Sequence, residues 1–122
     1  NMPSVMIVDD SATIRQQLKV FLTSNGYEAV EAGDGAQGLA AAKENDVSLM
    51  IVDVNMPVMN GIEMVTEVRK LPQHQKTPIF MLTTESGTDI AAEGRRVGVT
   101  AWIIKPFKPE ILLKGIKKVI VH

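Results

Sequence analysis

The chain reads as an α/β domain, a doubly wound five-stranded parallel sheet with five helices, and three observations carry that reading. Short strand-like runs recur along its length, stretches with apolar residues at helical spacing separate them, and most of the runs are apolar on both sides. Parallel strands need a crossover for each return, and right-handed crossovers place helices on both faces of the sheet. Val5-Met6-Ile7-Val8 is wholly apolar and stops at Asp9-Asp10. Ser11 is a candidate N-cap, after which Ile14, Leu18, Phe21 and Leu22 share one helical face until Asn25-Gly26 ends it. Glu28 to Ala32 is a strand with polar interruptions, hence nearer an edge, followed by Gly33-Asp34-Gly35 and an Ala-rich helix over about 36–44. Leu49-Met50-Ile51-Val52 runs straight into Asp53. Asn55-Met56-Pro57 and Asn60-Gly61 form a loop, and Ile62, Val65 and Val68 open a third helical face that should end near Leu71-Pro72. A fourth strand over 78–82 ends at Thr83-Thr84. A weak helix follows over about 88–97, with Gly94 inside it at a cost of about 1 kcal/mol relative to Ala. Residues 101–104 form the fifth strand, ending at Lys105-Pro106, and Leu112, Ile116 and Val119 line the last helix.

The 122 residues suit one domain, and 45% hydrophobic content fills a core without disulfides or a structural metal. Asn1 in front of Met2 reads as an appended residue, which puts the expected domain at 2–122. With no cysteine there is neither a disulfide framework nor a thiolate metal site, and a reducing cytoplasm is the natural setting. The start lacks a basic segment followed by an apolar run, so a soluble protein with no membrane partner is expected. A net charge of −1 argues against a surface built to neutralise nucleic acid. Lys105, Lys108, Lys114, Lys117 and Lys118 crowd the last segment and read as a solvated helix face rather than a basic dock.

In doubly wound folds, ligands bind outside the carboxyl ends of the strands. Four strands here end in reactive polar residues: Asp9 and Asp10, Asp53, Thr83, and Lys105. All should project from one rim. Two carboxylates ~4 Å apart repel by about 4 kcal/mol at an effective dielectric near 20, so three gathered acids call for cations or protons. Lys105 supplies one positive charge, and a divalent ion would balance the rest. An all-oxygen donor set favours Mg²⁺, which keeps several waters and takes few carboxylates. A carboxylate can also attack phosphorus and form an aspartyl phosphate. The transferred group then needs positive and hydrogen-bonding partners for its three oxygens, which the metal, the Lys105 ammonium and the Thr83 hydroxyl could supply. Asp53 is the best nucleophile candidate because it comes from a separate strand, leaving the Asp9-Asp10 pair to hold metal.

Ile7-Val8-Asp9-Asp10-Ser11, Val52-Asp53-Val54-Asn55-Met56-Pro57, Leu82-Thr83-Thr84-Glu85 and Ile104-Lys105-Pro106-Phe107 together resemble the receiver domains of two-component response regulators, especially the single-domain, CheY-like chemotaxis type. The resemblance spans nearly the whole chain. It implies a flavodoxin/CheY-like strand order of 2-1-3-4-5, an order for which CheY itself is a standard example. It also implies Asp53 as phosphoacceptor, Asp10 as a direct metal ligand, Asp9 as a ligand partly through water, and Asn55 as a ligand through its backbone carbonyl. Thr83, Thr84 and Lys105 would stabilise the phosphoryl group, Thr83 and Trp102 would form the switch, the Lys105-Pro106 peptide would be cis, and Asn55 and Glu85 would tune phosphoryl lifetime. The cofactor would be Mg²⁺, with Mn²⁺ as a substitute. The partners would be a sensor histidine kinase, a downstream target such as a flagellar motor or phosphorelay component, and a phosphatase, with the chain itself a cytoplasmic monomer acting by binding. Three positions depart from the usual pattern: Trp102 replaces Tyr or Phe, Thr84 stands where Ala is frequent, and Asn60 stands where the loop usually has Asp.

Other classes fit less well. An FMN carrier needs a phosphate-cradling loop after the first strand, where Asp9-Asp10 would repel the phosphate. A phosphatase using the same acids lacks an inserted cap segment, and a degenerate receiver serving only as a docking module would not need the complete residue set. His74 reads as a polar-loop residue and His122 as terminal, neither with metal-ligand spacing; the seven methionines read as core filler.

Overall fold

The computed structural model describes residues 2–84 and 88–120. The elements run β1 (Ser4–Val8), α1 (Ala12–Ser24), β2 (Glu28–Ala32), α2 (Gly35–Glu44), β3 (Leu49–Asp53), α3 (Gly61–Val68), β4 (Ile79–Thr83), α4 (Thr88–Val97), β5 (Ala101–Ile104) and α5 (Pro109–Val119), with a 3₁₀ turn at Pro72–His74. All five strands are parallel in the order β2-β1-β3-β4-β5. The polar-interrupted β2 lies at an edge, as its sequence predicts, and β1, β3 and β4, apolar except for Ser4, Asp53 and Thr83 at their ends, fill the interior.

Side chains alternate between the two faces of the sheet, and two buried clusters record the alternation. Val5, Ile7, Leu49, Ile51, Phe80 and Leu82 pack with Leu18 and Leu22 of α1 and Leu112 and Ile116 of α5. Met6, Val8, Met50, Val52, Ile79 and Met81 pack with Met64, Val65 and Val68 of α3 on the opposite face. This period of two decides where the polar strand ends point. Asp9 continues the row of Val5 and Ile7, Asp53 that of Leu49 and Ile51, and Lys105 that of Ala101 and Ile103, so all three lean toward the α1 and α5 side. Thr83 follows Ile79 and Met81 toward the other face.

Capping sets the helix starts. The Ser11 hydroxyl accepts from the Ile14 N–H at 3.2 Å, and the Asp34 carboxylate accepts from the Gln37 N–H at 2.8 Å. Asn60 forms a capping box with Glu63, giving the asparagine at this turn a local structural role. α3 ends at Val68, earlier than the expected boundary near Leu71-Pro72, because the Lys70 and Leu71 N–H groups turn back three residues, to the Glu67 and Val68 carbonyls. Gly94 also has a reason that helix propensity does not reveal. A Cβ there would stand 2.3 Å from Cζ2 of Trp102, so the missing side chain makes room for the indole.

His74 is not the polar-loop residue its neighbours suggest, being only 1% exposed. Its Nε2 lies 2.8 Å from the Ala42 carbonyl and 3.0 Å from that of Asn45, while Nδ1 faces the Thr77 hydroxyl at 3.0 Å. Carbonyls only accept, so Nε2 carries the hydrogen and satisfies the C-terminal carbonyls of α2. Replacing His74 by Leu strands those buried acceptors and is expected to cost about 3 kcal/mol. Urea unfolding reads the loss, and a change below about 0.5 kcal/mol would show that solvent replaces the ring.

Candidate metal and phosphoryl site

The carboxyl ends of β1, β3 and β5 meet on the α1 and α5 side. Asp9, Asp10 and Asp53 each offer a carboxylate oxygen, and these oxygens all lie within 4.8 Å of one another. Asp9 and Asp53 are buried and Asp10 is exposed, so the cluster has a wall and an opening. The Lys105 ammonium bridges the buried pair, 2.9 Å from Asp9 Oδ2 and 3.2 Å from Asp53 Oδ1. The Ser11 N–H donates to Asp9 Oδ1 at 2.9 Å, and the Asn55 N–H donates to Asp53 Oδ1 at 3.4 Å.

One lysine does not balance this charge. Burial pushes the Asp53 carboxyl above the ordinary carboxylate range and the Asp9 charge adds to the effect; Lys105 and the Asn55 N–H oppose it without cancelling it. Burial draws Lys105 down, but the Asp9 and Asp53 carboxylates more than reverse this and hold its ammonium above the usual lysine range. Asp9 Oδ2 is buried with no hydrogen-bond partner. The Lys105 ammonium meets this oxygen as an ion pair at 2.9 Å. A buried carboxylate pair sharing a single ammonium, all-oxygen donors and residual negative charge fit a hard divalent cation.

Thr83, Thr84 and Asn55 lie at or just past the carboxyl ends of their strands. Thr83 is buried at the end of β4, its carbonyl accepting from the Lys105 N–H at 2.8 Å, and Thr84 beyond it is exposed. Asn55 is exposed two residues past Asp53. The Lys105-Pro106 peptide is cis. Trp102 is paired with Met81 and lies against Gly94 of α4. Glu85 lies outside the described residues. Sequence reasoning missed Arg15, whose guanidinium donates to the Asp9 carbonyl; its one signal was a cation in the helix that follows two adjacent acids.

The response regulator receiver domain model matches residues 5–117. The chain belongs to this family. A CheY homologue of Campylobacter jejuni is 38% identical over 118 residues, covering 95% of this chain and 91% of that one. CheY1 of Helicobacter pylori is 37% identical with 95% of each covered. The solved structure of CheY4 from Vibrio cholerae is 47% identical, superposes with a TM-score of 0.94 and covers 98% of this chain and all of that one. The chain is therefore a CheY-type receiver domain, a two-component signalling module rather than a metabolic enzyme. Asp9, Asp10 and Asp53 form an acidic cluster that could hold a metal ion. No helix among the described residues is long and apolar enough to cross a membrane.

Proposed function

We propose that this receiver, one domain over residues 2–122, is a phosphorylation-dependent switch whose phosphoacceptor is Asp53. The observation that carries the proposal is the convergence of Asp9, Asp10 and Asp53 with Lys105 between the two buried acids. The donor is the phosphohistidine of a sensor kinase. An Asp53 oxygen forms the new P–O bond, the P–N bond to the donor imidazole breaks, and the departing nitrogen takes a proton. Asp10, Asp53 and the Asn55 carbonyl would hold Mg²⁺ with Asp9 beside them, and the ion would supply charge neutralisation for the phosphoryl oxygens. Mn²⁺ can substitute.

The Lys105 ammonium, already poised between two acids, moves to a phosphoryl oxygen, and the Thr83 and Thr84 hydroxyls serve the others. Turnover of the acyl phosphate is the chain's own chemistry, tuned by Asn55 and Glu85. Engagement of Thr83 is passed to Trp102, and the α4-β5-α5 face is remodelled for a downstream target such as a flagellar motor or phosphorelay component. The chain acts as a cytoplasmic monomer, and a phosphatase can reset it.

Incubation with acetyl phosphate, with and without Mg²⁺, followed by intact mass, tests the assignment. One phosphoryl group should appear only with the metal and should be lost in Asp53→Asn. An equal gain in that variant would place the acceptor elsewhere.

A further inference from the structure

We propose that Arg15 is a positioning residue for the metal site, setting the direction of Asp10 through the backbone of Asp9; this rests on the reading of the acidic cluster as a Mg²⁺ site. The Arg15 Nη1 donates to the Asp9 carbonyl at 2.5 Å. That carbonyl belongs to the peptide unit joining Asp9 to Asp10, so gripping it fixes the peptide plane from which the Asp10 side chain departs. Asp10 is exposed, unlike Asp9, which is also held through both carboxylate oxygens by the Ser11 N–H and the Lys105 ammonium. The orientation of Asp10 therefore depends on the backbone more than that of Asp9 does.

The guanidinium is itself held. Its Nε lies 3.6 Å from Glu31 Oε1 on β2, and Lys19 reaches the other oxygen of the same carboxylate at 3.5 Å. Arg15 is rooted in α1, where its N–H donates to the Ser11 carbonyl at 3.0 Å. It lies beside the β2 exit, where a Cβ on Gly33 would meet Nη1 at 3.5 Å. The result is a clasp joining α1, β2 and the backbone at the end of β1. Such a clasp resembles the outer hydrogen bonds that orient metal ligands elsewhere, whose loss costs about 10- to 100-fold in metal affinity.

The sign of the effect separates positioning from charge. By Coulomb's law alone, a guanidinium beside three acids repels a divalent cation, so its removal should tighten Mg²⁺ binding. If Arg15 acts by holding the peptide, its removal weakens binding. Arg15→Met keeps the aliphatic stem and removes both charge and fork. Calorimetry of the full chain with MgCl₂ should then show affinity about tenfold weaker than wild type. Acetyl phosphate labelling should need about tenfold more Mg²⁺ for half-maximal rate, with the rate at saturating Mg²⁺ kept within about twofold. Unchanged or tighter binding, or a labelling deficit that saturating Mg²⁺ does not repair, would overturn the proposal. If Arg15→Met does not fold, Arg15→Lys replaces it; that variant keeps the charge but lacks the planar fork, and it too should bind Mg²⁺ several-fold more weakly. Failure of the wild-type chain to bind Mg²⁺ would remove the reading of the site itself. Normal wild-type binding with an unaffected Arg15→Met would remove only the role of Arg15.

Discussion

Replacing Lys105 by Met should cost the metal-free protein about 3 kcal/mol at neutral pH, with the loss shrinking as the solution is acidified. Lys105 is the cation found between the buried Asp9 and Asp53 carboxylates, and removing one partner of a buried pair is destabilising because the remaining charge stays desolvated. The pH dependence follows from the direction in which Asp53 is shifted. Its carboxyl sits above the ordinary range, through burial first and Asp9 second, and Lys105 is the main opposing influence. Without the lysine it rises further. A carboxyl that holds its proton to higher pH in the folded than in the unfolded state makes the native state the better proton binder. Stability then falls as pH rises from the ordinary carboxylate range through the raised folded value. The deficit of Lys105→Met should therefore be full at neutral pH and largely gone near the ordinary carboxylate range. In wild type the lysine contribution persists through neutral pH and is lost only as pH climbs through the raised lysine value. Mg²⁺ should also stabilise the variant more than the wild type. Urea unfolding at mildly acidic and neutral pH, with and without Mg²⁺, measures all of this. A deficit equal at both pH values would show that the lysine stem acts by packing and not by charge.

Most of the fold was legible because two physical signals agree along the chain. Apolar runs on both sides of the period-two alternation mark β1, β3 and β4 as interior strands, and polar interruptions mark β2 as an edge. The acids and the lysine were legible as a group because each ends an apolar strand, and the shared row of Asp9, Asp53 and Lys105 follows from counting in twos. What the sequence hid is non-local. His74 is surrounded by polar neighbours in sequence, yet its ring ends a helix some thirty residues earlier, and no spacing rule marks such a pairing. Gly94 looks like a weakness in α4 until the Trp102 indole, eight residues on, is seen to occupy its missing side chain's place. Arg15 escaped notice because its partner is a backbone carbonyl, which every residue possesses.

The close return of the chain after Asp53 leads to a second large effect. Gly61 is the first residue of α3, and its N–H donates to the Val54 carbonyl at 2.9 Å. A Cβ at this position would come within 2.3 Å of the Asp53 carbonyl oxygen and 3.0 Å of Val54 Cα. Both obstacles are backbone and cannot rotate aside as the nearby Met81 methyl can. Asn60 and Glu63 lock the helix start by their reciprocal cap, so the conflict is forced onto the end of β3. Gly61→Ala is accordingly expected to destabilise the chain by about 3 kcal/mol and to turn the Asp53 carboxylate away from Asp10, weakening Mg²⁺ binding together with stability. Gly26→Ala supplies the contrast. Its backbone at φ +89° strains any side chain, but a Cβ there would meet nothing within 4 Å, and it lies in the turn between α1 and β2, away from the acids. That variant should lose about 1 kcal/mol and bind Mg²⁺ as wild type does. If both variants kept wild-type Mg²⁺ affinity while differing only in unfolding free energy, the contact between Gly61 and the Asp53 backbone would be a matter of packing alone, and the acid would be held in place by Lys105 and the Asn55 N–H instead.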